Sequence, residues 1–154
     1  VSLKFAVEHY EETDACRATV KRIIDFAQAQ WLETLGKSGE AFQPDIDQIA
    51  NMWRDGSVKI ISARDGAELT GYALWIVSPN LWRPRRLDAV LYSVFLRKES
   101  RGIGEFPKLM DFGVMVMEAL GVKKIATAVD SGSDLHSYFA RKGWVAGTVT
   151  MVKS

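Results

Sequence analysis

Apolar and polar positions alternate over residues 2 to 8, with Leu3, Phe5 and Val7 on one side, which is the period of a half-buried strand. The period then changes. Thr13 or Asp14 can cap a helix whose Cys16, Val20, Ile23, Ile24, Ala27 and Trp31 recur three and four residues apart, so one face packs on a core. Periodicity is lost from Gly36 to Pro44, which reads as a loop. Asp45 caps a second, shorter helix with Ile46, Ile49, Ala50 and Trp53 as its buried stripe, and Gly56 ends it. Val58 to Arg64, an Asp65-Gly66 turn and Leu69 to Val77 carry a hairpin signal. A polar, proline-broken connection, SPNLWRPRR, leads to a third β-branched and aromatic run from Leu87 to Leu96. Phe106, Leu109, Met110, Gly113, Met117 and Leu120 mark a long helix from Gly104 to Leu120, with Pro107 tolerated in its first turn. Gly121 closes it, Lys123 to Asp130 reads as a strand, and Ser133 or Asp134 starts a short helix through Lys142. Gly143 then leads into a final strand from Trp144 to Val152.

This order of elements predicts one α/β domain, in closer terms α+β, spanning residues 1 to 154, with a mixed, largely antiparallel sheet flanked by helices. Antiparallel strands come first and a βαβ crossover follows, which makes the strands before and after the long helix parallel and aims the helix N-terminus at the sheet's carboxyl edge, where ligands bind. Composition agrees with a single core: the 154 residues are 47% hydrophobic. Twenty Lys and Arg against 19 Asp and Glu leave a net charge of +1, which argues against bulk electrostatic binding to nucleic acid or a membrane surface. A single cysteine, Cys16, excludes an internal disulfide and a Cys-rich zinc site, and two histidines add little metal-binding capacity. The first residues carry no long apolar run or small-residue cleavage pattern, and no stretch approaches the roughly 20 apolar residues of a membrane span. A cytoplasmic protein without metal is the expectation.

Between the strand end at Leu96 and the helix start at Gly104 lies RKESRGIG. A turn of this kind delivers unpaired N–H groups of a helix start to one point, where the macrodipole adds about half a positive charge. Gly102 and Gly104 permit close approach of main chain to a phosphate, and Arg97, Lys98, Arg101 and Lys108 surround the turn with cations. The alternative is a tight strand-to-helix connection. No G-K-[ST] is present, which disfavours a nucleoside-triphosphate loop, and the antiparallel strands upstream disfavour a dinucleotide unit.

The segment VFLRKESRGIG, residues 94 to 104, resembles motif A of the GNAT superfamily of N-acetyltransferases, R/Q-x-x-G-x-G/A after the fourth strand. The element order is similar to the family's along the whole chain, and FARKGW, residues 139 to 144, looks like its Y-x-x-x-G-F. The resemblance implies a GNAT-like splayed sheet and transfer of an acetyl group from acetyl-CoA to a primary amine of a small molecule or protein, with no metal and no covalent enzyme intermediate. A homodimer stays open as the assembly. The resemblance further implies that main-chain N–H groups of Glu99, Ser100, Arg101, Gly102, Ile103, Gly104 and Glu105 bind the diphosphate of coenzyme A. Tyr92 and Val94 would pair with the pantetheine arm, the Tyr92 N–H polarising the thioester carbonyl. Asp88 stands eleven residues before Glu99, where some members carry a glutamate general base. Its other reading is a polar strand start.

Two departures from the pattern are visible. Glu99 replaces the family's Arg or Gln, and Phe139 stands at the place of its general-acid tyrosine, with Tyr138 one residue earlier. Tyr138 is then either the proton donor to the leaving thiolate or a core or surface tyrosine. These departures support an alternative, a non-catalytic GNAT-like module that binds coenzyme A or a protein. His136 is either a base facing the cleft or an exposed helix residue, and the LWRPRR loop with Trp82 either contacts an acidic partner or is a solvated turn. Cys16 lies on an apolar stripe and reads as a buried thiol.

Overall fold

The computed structural model describes residues 2–34, 41–102, 104–129, 132–147, 151 and 153. In chain order the elements are β1 (Lys4–Glu8), α1 (Asp14–Thr34), α2 (Ile46–Asp55), β2 (Val58–Asp65), β3 (Glu68–Pro79), β4 (Leu87–Leu96), a 3-10 turn (Lys98–Ser100), α3 (Glu105–Ala119), β5 (Val122–Thr127) and α4 (Asp134–Arg141). Three of the helix starts follow from capping side chains that satisfy otherwise orphaned N–H groups. Thr13 Oγ1 accepts from the Cys16 N–H at 3.2 Å, Asp45 Oδ1 from the Gln48 N–H at 2.9 Å, and Ser133 Oγ from the His136 N–H at 3.1 Å. Of the two cap candidates before α1, Thr13 is therefore the one used.

The described strands form one sheet in the order β1-β2-β3-β4-β5. The first three pairings are antiparallel and β4 to β5 is parallel, as the βαβ pattern predicts. The tight hairpin sits one residue later than its sequence signal, because Asp65 still pairs with Glu68 and the loop is Gly66-Ala67, with Gly66 at φ +60°. The expected final strand is also corrected in part. Residues 144 to 147 adopt no strand, and residues 148 to 150 and 152 lie outside the described residues.

Each face of the sheet carries its own apolar cluster. Ile23 and Phe26 of α1 and Trp53 of α2 cover Ile60, Tyr72 and Leu74 on one face. On the other, Leu109, Met110 and Met117 of α3 and Phe139 of α4 cover Ile61, Ala73, Trp75 and Leu91. Packing on this second face is tight enough to demand a glycine: a Cβ on Gly113 of α3 would lie 2.8 Å from Cζ2 of the fully buried Trp75. That close approach fixes α3, and with it the turn at its N-terminus, against the middle of the sheet.

Candidate functional site

β4 changes its pairing at one point. Opposite β3, Leu91 faces Trp75 and Ser93 faces Leu74, so Tyr92 is an extra residue, a β-bulge. On its other side β4 pairs with β5 only as far as Leu91↔Thr127, where Thr127 Oγ1 donates to the Leu91 carbonyl at 3.2 Å. Beyond this the β4 backbone from Tyr92 to Leu96 has no strand partner on the β5 side among the described residues. The sheet is thus splayed where expected, and the free edge starts at Tyr92.

The bulge also reverses which face each residue meets. Ala89 and Leu91 pack with the α3 cluster, and after the bulge Val94 and Leu96 do so. Phe95 turns instead to α1, stacking on Phe26 with ring centroids 5.0 Å apart. Ser93 Oγ contacts Tyr72 Oη at 2.7 Å and donates to Gln30 Oε1 of α1 at 3.1 Å. This hydrogen-bonded row beside the bulge was not anticipated from sequence. Its signal was present in the shift of apolar spacing from 87, 89, 91 to 94, 96. The Tyr92 side chain is exposed.

From Leu96 the chain passes through the 3-10 turn into the glycines. Gly104 has φ +89°, and among the described residues, chain neighbours aside, a Cβ on either Gly102 or Gly104 would meet nothing within 4 Å, so the main chain faces open space there. Several predicted donors are otherwise committed. The N–H groups of Ser100, Arg101 and Glu105 donate to the carbonyls of Arg97, Lys98 and Gly102 at 2.9, 3.1 and 3.1 Å. Those of Gly102 and Gly104 have no such partner among the described residues; Ile103 lies outside them.

The surrounding cations are largely engaged as well. Arg97 pairs with Glu68 at 2.7 Å, Lys108 with Glu105 at 3.0 Å, and Arg101 Nε donates to the Leu96 carbonyl with its guanidinium 5.5 Å from the Phe95 ring centroid. Lys98 forms no ion pair among the described residues. Glu99 is mostly exposed and lies 3.8 Å from Arg97 Nε. Glu105, in contrast, is buried in the first turn of α3, and its Oε2 has no hydrogen-bond partner among the described residues. This carboxylate draws on the same helix-start field as any bound anion.

The two side chains assigned to proton transfer are each engaged by local partners. Asp88 Oδ2 accepts from Asn80 Nδ2 and Oδ1 from Arg86 Nε, both at 2.8 Å. These bonds, Asn80 first and then Arg86, hold its carboxyl below the usual carboxylate range and make it a poor proton acceptor. Tyr138 packs edge-on against Phe106, with centroids 5.2 Å apart, in a groove of about 260 Å³ between α3 and α4 that contains no β4 residue. Burial, followed by the Asp111 charge, pushes its hydroxyl pKa up. Phe139 is core, 4.7 Å from the Trp144 ring. His136 is exposed and Cys16 is buried. Among the described residues no group of three or more His, Cys, Asp or Glu is placed to hold a metal, and no helix is long and apolar enough to cross a membrane.

No family model matches the chain, and no curated protein does. Solved structures match over nearly its whole length at low identity. An aminoglycoside acetyltransferase, meta-AAC0020, from an uncultured soil metagenomic sample in complex with sisomicin is 15% identical, with a TM-score of 0.75 over 99% of this chain and 95% of that one. A transcriptional regulator from Bacillus halodurans C-125 is 16% identical, with a TM-score of 0.74 over 98% and 99%. Ribosomal-protein-alanine N-acetyltransferase from Brucella melitensis biovar Abortus 2308 is 15% identical, with a TM-score of 0.70 over 100% and 99%. With its splayed β4 and β5, its bulge and its glycine turn, the chain has the fold of the GNAT superfamily of acetyltransferases.

Proposed function

We propose that the protein is an N-acetyltransferase that moves the acetyl group of acetyl-CoA to a primary amine by direct attack. One coincidence carries the reading: pairing with β5 stops at Leu91, the bulge follows at Tyr92, and the free edge runs into the glycine turn at the start of α3. The open space before Gly102 and Gly104 fits a diphosphate, and the free edge around Val94 fits the amide groups of pantetheine. The Tyr92 N–H then polarises the thioester carbonyl.

In the reaction the amine lone pair attacks the carbonyl carbon, the C–S bond breaks as the C–N bond forms, the nitrogen loses a proton and the thiolate gains one. Tyr138 retains its proton at neutral pH, the state a donor needs. Asp88 is a weak base, so the acceptor's proton passes to water. The acceptor is an amine of a small molecule or of a protein. Neighbours of the two kinds, aminoglycoside and ribosomal-protein-alanine acetyltransferases, share the fold and support both classes as candidates.

A second reading is a module that binds coenzyme A without turnover. It is favoured by the engaged oxygens of Asp88 and by the buried Glu105 carboxylate. The deciding experiment pairs calorimetric titration of coenzyme A with thiol release from acetyl-CoA across polyamines, amino acids, aminoglycosides and lysine peptides. Binding with turnover on one acceptor is expected. Binding without turnover selects the module, and no binding rejects both readings.

A further inference from the structure

We propose that the β3–β4 loop, residues 80 to 86, together with Lys123 and Lys124, is a docking surface for an acidic segment of a partner protein. Leu81 and Trp82 at its tip are 87% and 90% exposed, an unusual placement for two large apolar side chains side by side. Arg83 and Arg85 follow them, and neither forms an ion pair among the described residues. The same holds for Lys123 and Lys124. Pairing of Asp88 with Lys124 brings these exposed lysines to the same end of the sheet.

The loop is held in shape. The Asn80 N–H donates to the Arg86 carbonyl at 2.8 Å, and the Arg86 N–H to the Arg83 carbonyl at 3.1 Å. Asn80 Oδ1 accepts from the Trp82 N–H at 3.0 Å. Asp88 ties the two ends together through its bonds from Asn80 and Arg86. Arg85 is held at φ +68°, which a side-chain-bearing residue adopts at some cost in energy. A loop fixed in this way loses little freedom on binding.

Its chemistry selects the occupant. Tryptophan and arginine are the residues that most often dominate binding energy at protein interfaces, and guanidinium groups pair with carboxylates in a two-bond geometry. Arg83 and Arg85 of the loop, which form no ion pair among the described residues, and the lysines of β5 reject a basic or purely apolar partner. Two apolar side chains offer little insertion into a bilayer, and a net charge of +1 gives weak attraction to a nucleic acid. The surface lies at the opposite end of the ten-residue β4 from the glycine turn, about 30 Å away at the rise of a strand. It is therefore well separated from the diphosphate end of the proposed acetyl-CoA site.

The test is fluorescence anisotropy of the whole chain with a dye-labelled polyglutamate peptide, with a labelled oligonucleotide and phosphatidylserine vesicles as competitors. Expected is salt-sensitive binding of polyglutamate, weakened about tenfold or more by Trp82→Ala and by Arg83→Glu with Arg85→Glu, the thermal unfolding midpoint being unchanged. Asp88→Asn, which loosens the loop without touching its tip, should weaken binding less. No polyglutamate binding, binding indifferent to both tip substitutions, or tighter binding of the oligonucleotide or vesicles would overturn the assignment.

Discussion

Thr127 Oγ1 donates to the Leu91 carbonyl at 3.2 Å, across the last matched pair of β4 and β5. The bond closes the apex of the splay, immediately before the bulge at Tyr92. Removing the hydroxyl while keeping the β-branched shape tests what it holds. Thr127→Val should cost about 1 kcal/mol, since it leaves a partly buried carbonyl short of a donor. If the apex positions β4 for pantetheine, coenzyme A affinity should fall as well. A lowered unfolding midpoint with unchanged affinity would confine Thr127 to stability.

The two glycines of the turn make separable tests. Gly104 sits at φ +89°, so a side chain there strains the backbone whether or not a ligand binds. Gly102 lies outside that region and has open space before it. Gly102→Ala should thus leave the unfolding midpoint within a degree or two while reducing coenzyme A affinity about tenfold, because its methyl group takes the room of a phosphate oxygen. Gly104→Ala should lose affinity and about 1 kcal/mol of stability together. Calorimetric titration and thermal melts read both quantities. Unchanged affinity in Gly102→Ala would move the diphosphate elsewhere.

Asp88 makes a prediction about pH. Its folded pKa is depressed, by the Asn80 bond first and Arg86 second. A depressed carboxyl contributes stability above its unfolded pKa and loses it as pH falls through that value toward the folded one. Between about pH 5 and 3 the parent should therefore melt at progressively lower temperature, and Asp88→Asn should flatten that acid limb. The same substitution should leave the dependence of turnover on pH nearly unchanged, because both carboxylate oxygens are already occupied. A rate lost selectively at low pH would restore Asp88 as the base.

Periodicity made the element order readable. The capping residues Asp45 and Ser133 and the stop at Gly56 were legible because each acts through its immediate neighbours in sequence. The glycine turn was legible for the same reason. What local pattern did not show was partnership over distance. That Asp88 is tied down by Asn80 and Arg86 depends on how a loop folds back, and that Ser100 and Arg101 spend their N–H groups locally depends on a 3-10 turn that has no periodic signature. The Tyr92 bulge was legible in principle, since apolar spacing changes parity across it, but a run of Leu, Val, Tyr and Phe reads as strand in either register.

The contact between Gly113 and Trp75 connects stability with the site. A methyl group on Gly113 would press on an indole that is fully buried and cannot retreat. Alanine raises helix propensity by about 1 kcal/mol over glycine, whereas overpacking costs about 1 to 3 kcal/mol, so Gly113→Ala should be destabilising or at best neutral. The indole atom nearest the new methyl, Cζ2, belongs to the benzo ring that phenylalanine lacks. In a Trp75→Phe background, Gly113→Ala should then regain stability, and a double-mutant cycle by chemical denaturation should show the two changes to be coupled. The overpacked α3 moves outward and carries its N-terminal turn with it, so Gly113→Ala alone should also weaken coenzyme A binding. Additive stability changes would show that the indole does not set the distance of α3 from the sheet.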